Sequence, residues 1–208
     1  MKKLESSLLN MTLVLTGVAV IMGAVLAYVN DLTSGPISEQ KEKALSDGIK
    51  AVMGSDEIVV AKTDTVRQND AKGKELAYII YQAQDANGQD LGAAVESTTS
   101  GFGGNLKVLV GFAPDGNILG YTLLEHAETP GLGAKADKWF QKGEKGDIIG
   151  KNPQEPLTVS KDGGQVDAIT ASTITSRAFL LAVNNAYSAY KATPVDGESG
   201  ATKQMKEE

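Results

Sequence analysis

From Leu8 to Val29 the chain carries no charged residue. These 22 positions, at a helical rise of about 1.5 Å each, cover the roughly 30 Å hydrocarbon core of a bilayer. Only Asn10, Thr12 and Thr16 are strongly polar within the run, and threonine hydroxyls bond back to helix carbonyls. The pattern predicts a transmembrane helix over 8–29. Lys2 and Lys3 precede the run and Asp31 follows it. The positive-inside rule therefore leaves residues 1–7 in the cytoplasm and the remaining chain outside it. A cleaved signal peptide is the competing reading, with Val25-Leu26-Ala27 as a weak cleavage site. Its apolar region spans only about 7–15 residues as a rule, and the greater length here favours an uncleaved anchor. Residues 30–55 read as a membrane-proximal linker and helix. Pro36 suits a first helical turn, and Ile37, Ala44, Leu45, Ile49, Val52 and Met53 form an apolar stripe that ends at Gly54.

Beyond that point the period shortens. Glu57 to Lys62, Leu76 to Ala83 and a Gly/Ala-rich stretch from Leu91 to Val95 read as strands, with a turn at Asp85-Ala86-Asn87-Gly88. Asn105 to Phe112 and Ile118 to Leu124 form a second hairpin about Ala113-Pro114-Asp115-Gly116. Lys138-Trp139-Phe140 is expected on a short helix. A helical spacing returns at Ala178, Phe179, Leu180, Ala182, Val183, Ala186 and Tyr187. The order predicts an α+β fold over 56–191, antiparallel strands with flanking helices. Residues 192–208 form a tail that, from Thr193 on, lacks apolar periodicity and is expected to be disordered.

The last helix opens on a run of hydroxyls: Thr170, Ser172, Thr173, Thr175 and Ser176, with Asp167 just upstream. Free N–H groups and the dipole at a helix N-terminus favour a phosphate. Helix capping by Ser172 or Thr173 is the alternative, and on composition alone the more common one. A second cluster, Glu125-His126-Ala127-Glu128-Thr129-Pro130-Gly131-Leu132-Gly133, starts where a strand stops. Pro-Gly marks a tight turn, and glycine lets backbone approach a ligand closely. An ordinary polar turn with an incidental histidine would look the same.

Composition narrows the chemistry. A 41% hydrophobic, 22% charged chain is globular, and a net charge of −6 argues against nucleic acid as a partner. There are no cysteines, which excludes cysteine-ligated iron–sulfur clusters or zinc, c-type haem and disulfides. The single histidine, His126, cannot build a multi-histidine metal site. No metal ligand set and no acid–base catalytic residue is assigned. A redox role must rest on an organic cofactor or on partners.

Asp167 followed by Thr170-Ala171-Ser172-Thr173-Ile174-Thr175 resembles the signature of the FMN-binding-domain family. That family includes the G subunit of Rnf electron-transport complexes and the C subunit of the Na+-translocating NADH:quinone reductase. Its signature is an aspartate, then Ser/Thr-Gly-Ala-Thr-x-Thr. Ala171 stands where the family usually has Gly, and Ser172 where it usually has Ala. The loop His126, Glu128, Thr129, Pro130, Gly131, Leu132, Gly133 is similar to the family's His-x-Glu-Thr-Pro-Gly-Leu-Gly. The likeness extends to Gly101-Phe102-Gly103-Gly104, Val110-Gly111-Phe112 and Gly116-Asn117-Ile118.

The resemblance implies FMN joined to Thr175 by a phosphoester, with backbone N–H groups near Ser172 and Thr173 at the phosphate, Asp167 and Thr170 among the cofactor-binding residues, and the loop from Glu125 to Gly133 against the flavin ring. It implies a separate FMN transferase that takes FMN from FAD, releases AMP and uses its own Mg2+. It further implies an electron-carrier subunit, not catalytic alone, in an Rnf-type complex coupling ferredoxin:NAD+ electron transfer to Na+ or H+ translocation. The partners would be the other subunits and the lipid bilayer. The place would be the bacterial inner membrane, single-pass, with the C-terminal domain on the periplasmic side. Alternatives are the quinone-reductase C subunit and a membrane-anchored binding or scaffold domain without covalent flavin. An external hydrolase lacks a convincing base and orienting acid.

Overall fold

The computed structural model describes residues 8–55, 57–69 and 75–191; Lys2, Lys3 and the expected tail from Thr193 lie outside these residues. The chain divides into two compact units, one up to Ala44 and one from Leu45 onward.

The first unit is helical throughout its described length. Helix α1 runs from Leu8 to Met53 and is long and apolar enough to cross a membrane. Every large apolar side chain from Leu8 to Leu32 is exposed, an arrangement that water penalises and a hydrocarbon solvent does not. The expected start of a new helix at Pro36 is not found, because α1 passes through Pro36 without a break. Proline removes one i→i−4 bond. Around it, side-chain hydroxyls bond local carbonyls: Thr33 Oγ1 to Val29 O at 2.8 Å, Ser34 Oγ to Asp31 O at 2.9 Å and Ser38 Oγ to Gly35 O at 2.9 Å.

The second unit is an antiparallel meander of five strands whose spatial order follows the chain. The strands are β1 (Val59–Asn69), β2 (Glu75–Gln84), β3 (Asp90–Ser100), β4 (Asn105–Phe112) and β5 (Ile118–His126). Asp85 closes the β2–β3 turn by accepting the N–H groups of Asn87 and Gln89, both at 2.8 Å. These bonds hold its carboxyl below the usual carboxylate range. β1 and β3 extend further than their apolar residues predict. β1 is an edge strand and carries Lys62, Asp64 and Arg67, charges that discourage edge-to-edge pairing.

Helices cover both faces. On one side the end of α1 packs Ile49, Val52 and Met53 against Tyr81, Ala83, Ala94 and Leu109. It can lie close because Gly111 and Gly120 face each other across β4 and β5. A Cβ on Gly120 would stand 2.8 Å from the Val52 carbonyl oxygen, and one on Gly111 would collide with the same atom. Gly54, at φ 70° with its N–H on Lys50 O at 3.0 Å, ends the helix in a left-handed cap.

On the other side lies the larger core. The C-terminal helix, α3 (Thr173–Tyr190), buries Ala178, Phe179, Ala182, Val183 and Ala186 against Val95, Val108, Val110 and Phe112. Between β5 and α3 the chain forms a short helix, α2 (Ala136–Trp139), two single 3-10 turns (Gly133–Lys135 and Ser160–Asp162) and a series of other turns. Buried Ile148, Leu157, Val159, Val166 and Ile169 anchor that stretch. Phe179 stacks on Phe140 at 4.3 Å between ring centroids and meets Tyr121 edge-on at 4.8 Å. This aromatic contact fixes the first turns of α3 relative to β5 and α2.

Candidate functional site

Thr175 lies in the first turn of α3 and its side chain is buried, 1% exposed. Its hydroxyl donates to Glu128 Oε2 at 2.7 Å. Glu128, 6% exposed, accepts two further bonds on Oε1, from the N–H groups of Phe102 at 2.8 Å and Gly103 at 3.1 Å. One carboxylate therefore ties three segments together: the β3–β4 loop, the segment after β5, and α3.

The surrounding glycines explain how three backbones meet there. A Cβ on Gly133 would stand 2.7 Å from Thr175 Oγ1 and would overlap Glu128 Oε2. One on Gly101 would overlap Glu128 Oε1, and one on Gly103 the Ala127 carbonyl oxygen. Only hydrogen fits at these positions. The Glu128 segment is shaped by a turn over Thr129, Pro130, Gly131 and Leu132, in which Leu132 N–H bonds Thr129 O at 3.1 Å and Gly131 takes φ 78°. Proline second and a positive-φ glycine third is the type II pattern. Thr129 O also accepts from Ala134 N–H at 3.2 Å. His126 Nδ1 accepts the Glu128 N–H at 3.3 Å, and its Nε2 lies 3.8 Å from Asp137 Oδ2.

The hydroxyl run separates into distinct roles. Ser176 Oγ donates to Ser172 O at 3.0 Å and accepts from Ile169 N–H at 2.9 Å, which staples the turn before α3. Thr173 Oγ1 accepts from Lys161 Nζ at 3.1 Å. Thr170 is exposed. Ser172 occupies the cap position, but its side chain makes no capping bond, so the alternative reading of its hydroxyl as a helix cap is not realised. Before it, Ala171 adopts φ 61°, the one positive φ outside glycine among the described residues. This is the position where the resembling family usually has Gly. Asp167 is bonded to other groups: its Oδ1 accepts from Ser160 Oγ at 3.1 Å, and its carbonyl accepts from Trp139 Nε1 at 2.8 Å.

Of the expected site residues, the structure joins Thr175, Glu128 and Gly133 in direct contact, with His126, Thr129, Pro130, Gly131 and Leu132 shaping the same loop. Glu125 remains on β5, exposed and opposite Lys107. Sequence reasoning missed two basic groups flanking the start of α3, Lys161 and Arg177. Arg177 forms a bidentate pair with Asp162 at 2.6 and 2.8 Å; its position two residues past Thr175 was the available signal. A groove lined by Leu157, Asp162, Arg177, Leu181 and Asn185 contains neither Thr175 nor Glu128.

Chemically, the cluster presents a hydroxyl nucleophile at a helix N-terminus, a fixed hydrogen-bond acceptor, and backbone packed to glycine closeness. A hydroxyl so placed suits a phosphoester, whose anionic oxygens the helix terminus favours. The residues present thus fit a phosphate-linked cofactor. They do not fit a hydrolase triad, because His126 Nδ1 is occupied by the Glu128 amide.

The FMN-binding domain family matches residues 101–188, the segment from the Gly101 loop to the end of α3. The chain is 35% identical over 188 residues to the G subunit of the ion-translocating oxidoreductase complex of Aliivibrio fischeri, covering 86% of this chain and 89% of that one. It is 36% identical over 168 residues to the G subunit of the same complex in Yersinia pestis, covering 77% and 79%. The crystal structure of Shewanella oneidensis NqrC superposes with a TM-score of 0.51 at 16% identity, covering 74% of this chain and 100% of that one; this likeness supports the α+β fold. With its FMN-binding domain and its similarity along most of its length to these subunits, the chain belongs to the G-subunit family of ion-translocating oxidoreductase complexes.

Proposed function

We propose that the protein is a covalently flavinylated electron carrier, with FMN held on Thr175 through a phosphoester, in an Rnf-type complex that couples ferredoxin:NAD+ electron transfer to Na+ or H+ movement. The observation that carries this reading is the buried Thr175 hydroxyl, bonded at 2.7 Å to Glu128 inside the FMN-binding domain. Bound FMN would supply a ring that takes up and releases one or two electrons. The chain's own residues would hold and orient it: N–H groups of the first turn of α3, near Ser172 and Thr173, would hold the phosphate, and the loop from His126 to Gly133 would contact the ring. Leu132, 42% exposed, offers apolar contact.

Residues 8–29 of α1 serve as a single-pass anchor. Lys2 and Lys3 keep the N-terminus cytoplasmic, which sets the FMN-binding domain on the periplasmic side. A dissociated flavin facing outward would be lost to the medium, so the covalent bond replaces affinity with connectivity. The remaining subunits supply the electron donor and acceptor, and a dedicated FMN transferase performs the attachment.

The test is in-gel flavin fluorescence and intact mass after denaturation, with an FMN transferase co-expressed. Wild type is expected to fluoresce and to gain one FMN-sized increment, and Thr175→Ala to do neither. An increment retained in Thr175→Ala, or absent from wild type while the transferase modifies a control, would overturn the reading.

A further inference from the structure

The geometry points to Glu128 as the group that orients the Thr175 hydroxyl and takes its proton as the flavin phosphate is attached, a role for the substrate chain in its own modification. This rests on the reading of Thr175 as the acceptor. An alkyl hydroxyl is a weak nucleophile unless a base or metal activates it. A base must lie within about 2.6–3.2 Å of the proton it removes, and Glu128 Oε2 is 2.7 Å from Thr175 Oγ1.

Glu128 is also immobilised for the task. Its Oε1 is held by the N–H groups of Phe102 and Gly103, and its own N–H by His126 Nδ1. Gly101 and Gly133 pack so closely that no side chain fits between them and the carboxylate. All three bonds to the Glu128 side chain are accepted ones, the pattern of a carboxylate. The neighbouring acids are engaged elsewhere, Asp167 with Ser160 and Asp162 with Arg177.

The step balances without a redox partner. Thr175 Oγ1 attacks the flavin-side phosphorus of a flavin adenine dinucleotide and the Oγ1–P bond forms. The bridging P–O bond of the diphosphate breaks, AMP leaves with the bonding pair, and the hydroxyl proton passes to Glu128 Oε2 and then to solvent. A phosphoester oxygen carries no proton, so the bond between Thr175 and Glu128 exists only before transfer.

The experiment is steady-state kinetics of a purified FMN transferase with saturating FAD and the apo form of the full chain as varied substrate. Adduct is read by intact mass, and the melting temperature of each variant is recorded. Glu128→Gln keeps the shape, and its amide donates toward Thr175 Oγ1 instead of accepting from it. Its kcat is expected to fall about 100-fold, with KM for the chain little changed. Glu128→Asp and Glu128→Asn form a second pair of equal length, and the acid is expected to exceed the amide about tenfold or more in kcat. This pair decides the matter if Glu128→Gln fails to fold. Equal kcat within either pair, or an effect confined to KM, would overturn the role of Glu128 while wild type still takes FMN and Thr175→Ala does not. If wild type takes none, or Thr175→Ala takes as much, the acceptor reading fails and the role of Glu128 falls with it.

Discussion

At the scale of single residues, Ala171 shows how a local conflict can mark a site. Its φ of 61° places a Cβ-bearing residue in the left-handed region, at a cost of roughly 1–2 kcal/mol, partly offset because glycine loses more entropy on folding. Ala171→Gly is therefore expected to stabilise the domain by up to about 1 kcal/mol. A thermal melt should show Tm raised by about 2–4 °C, and an unchanged or lower Tm would show that the turn is unstrained. The sequence exposed this position only through resemblance, because φ is not written in a residue's identity. The same limit applies to Thr175. Five hydroxyls in seven residues are equivalent by composition. What separates them is a partner 47 positions away, which no local pattern reveals. The alternative reading, in which the Ser172 hydroxyl caps α3, is not realised for a related reason: propensity names a residue suited to capping, whereas the backbone of the turn decides where its side chain points.

At the scale of elements, apolar runs were legible and polar strands were not. Most of β4 and β5 and the buried stripe of α3 follow the periodicity of their hydrophobic residues. The outer part of β1, through Thr63-Asp64-Thr65, and the second half of β3, through Glu96-Ser97-Thr98-Thr99, owe their strand form to ladder hydrogen bonds with neighbours. Likewise Pro36 looks like a helix start in isolation, whereas the helix continues on both sides of it.

Two predictions belong at this scale. Gly111→Ala would drive a methyl group into the Val52 carbonyl and is expected to cost about 1–3 kcal/mol. Denaturant melts should show it, while flavin attachment persists because Thr175 is on the helix packed against the opposite face. Tyr121, whose hydroxyl donates to Ala136 O at 2.6 Å and accepts from Phe140 N–H at 3.2 Å, has its pKa pushed well above the ordinary tyrosine value, chiefly by burial. The unfolded chain then releases this proton near pH 10 while the folded chain keeps it. Stability from this group is complete below pH 10 and is lost as pH rises above that value. Melts between pH 9 and about 12 should fall more steeply for wild type than for Tyr121→Phe. Parallel slopes would show that Tyr121 does not govern alkaline stability.

At the scale of the molecule, a meander sheet carries the end of α1 on one face and α3 on the other. The larger core holds α3 so that its first turn meets the Gly101 loop and the Glu128 loop at one buried carboxylate. The apolar run of α1 was readable from the sequence because a bilayer demands length and little else. The junction at Glu128 was readable only as separate glycine-rich motifs, since their convergence depends on strand order and on close backbone packing.

The central claim is that Thr175 bears the flavin, and the most direct measurement is fragmentation mass spectrometry of the tryptic peptide spanning 162–177, taken from protein purified from membranes after co-expression with an FMN transferase. Fragment ions should place one FMN-sized increment on Thr175 and leave Thr170, Ser172, Thr173 and Ser176 unmodified. An increment on any of those four, or an unmodified peptide from a preparation in which the transferase has labelled a control, would contradict the account.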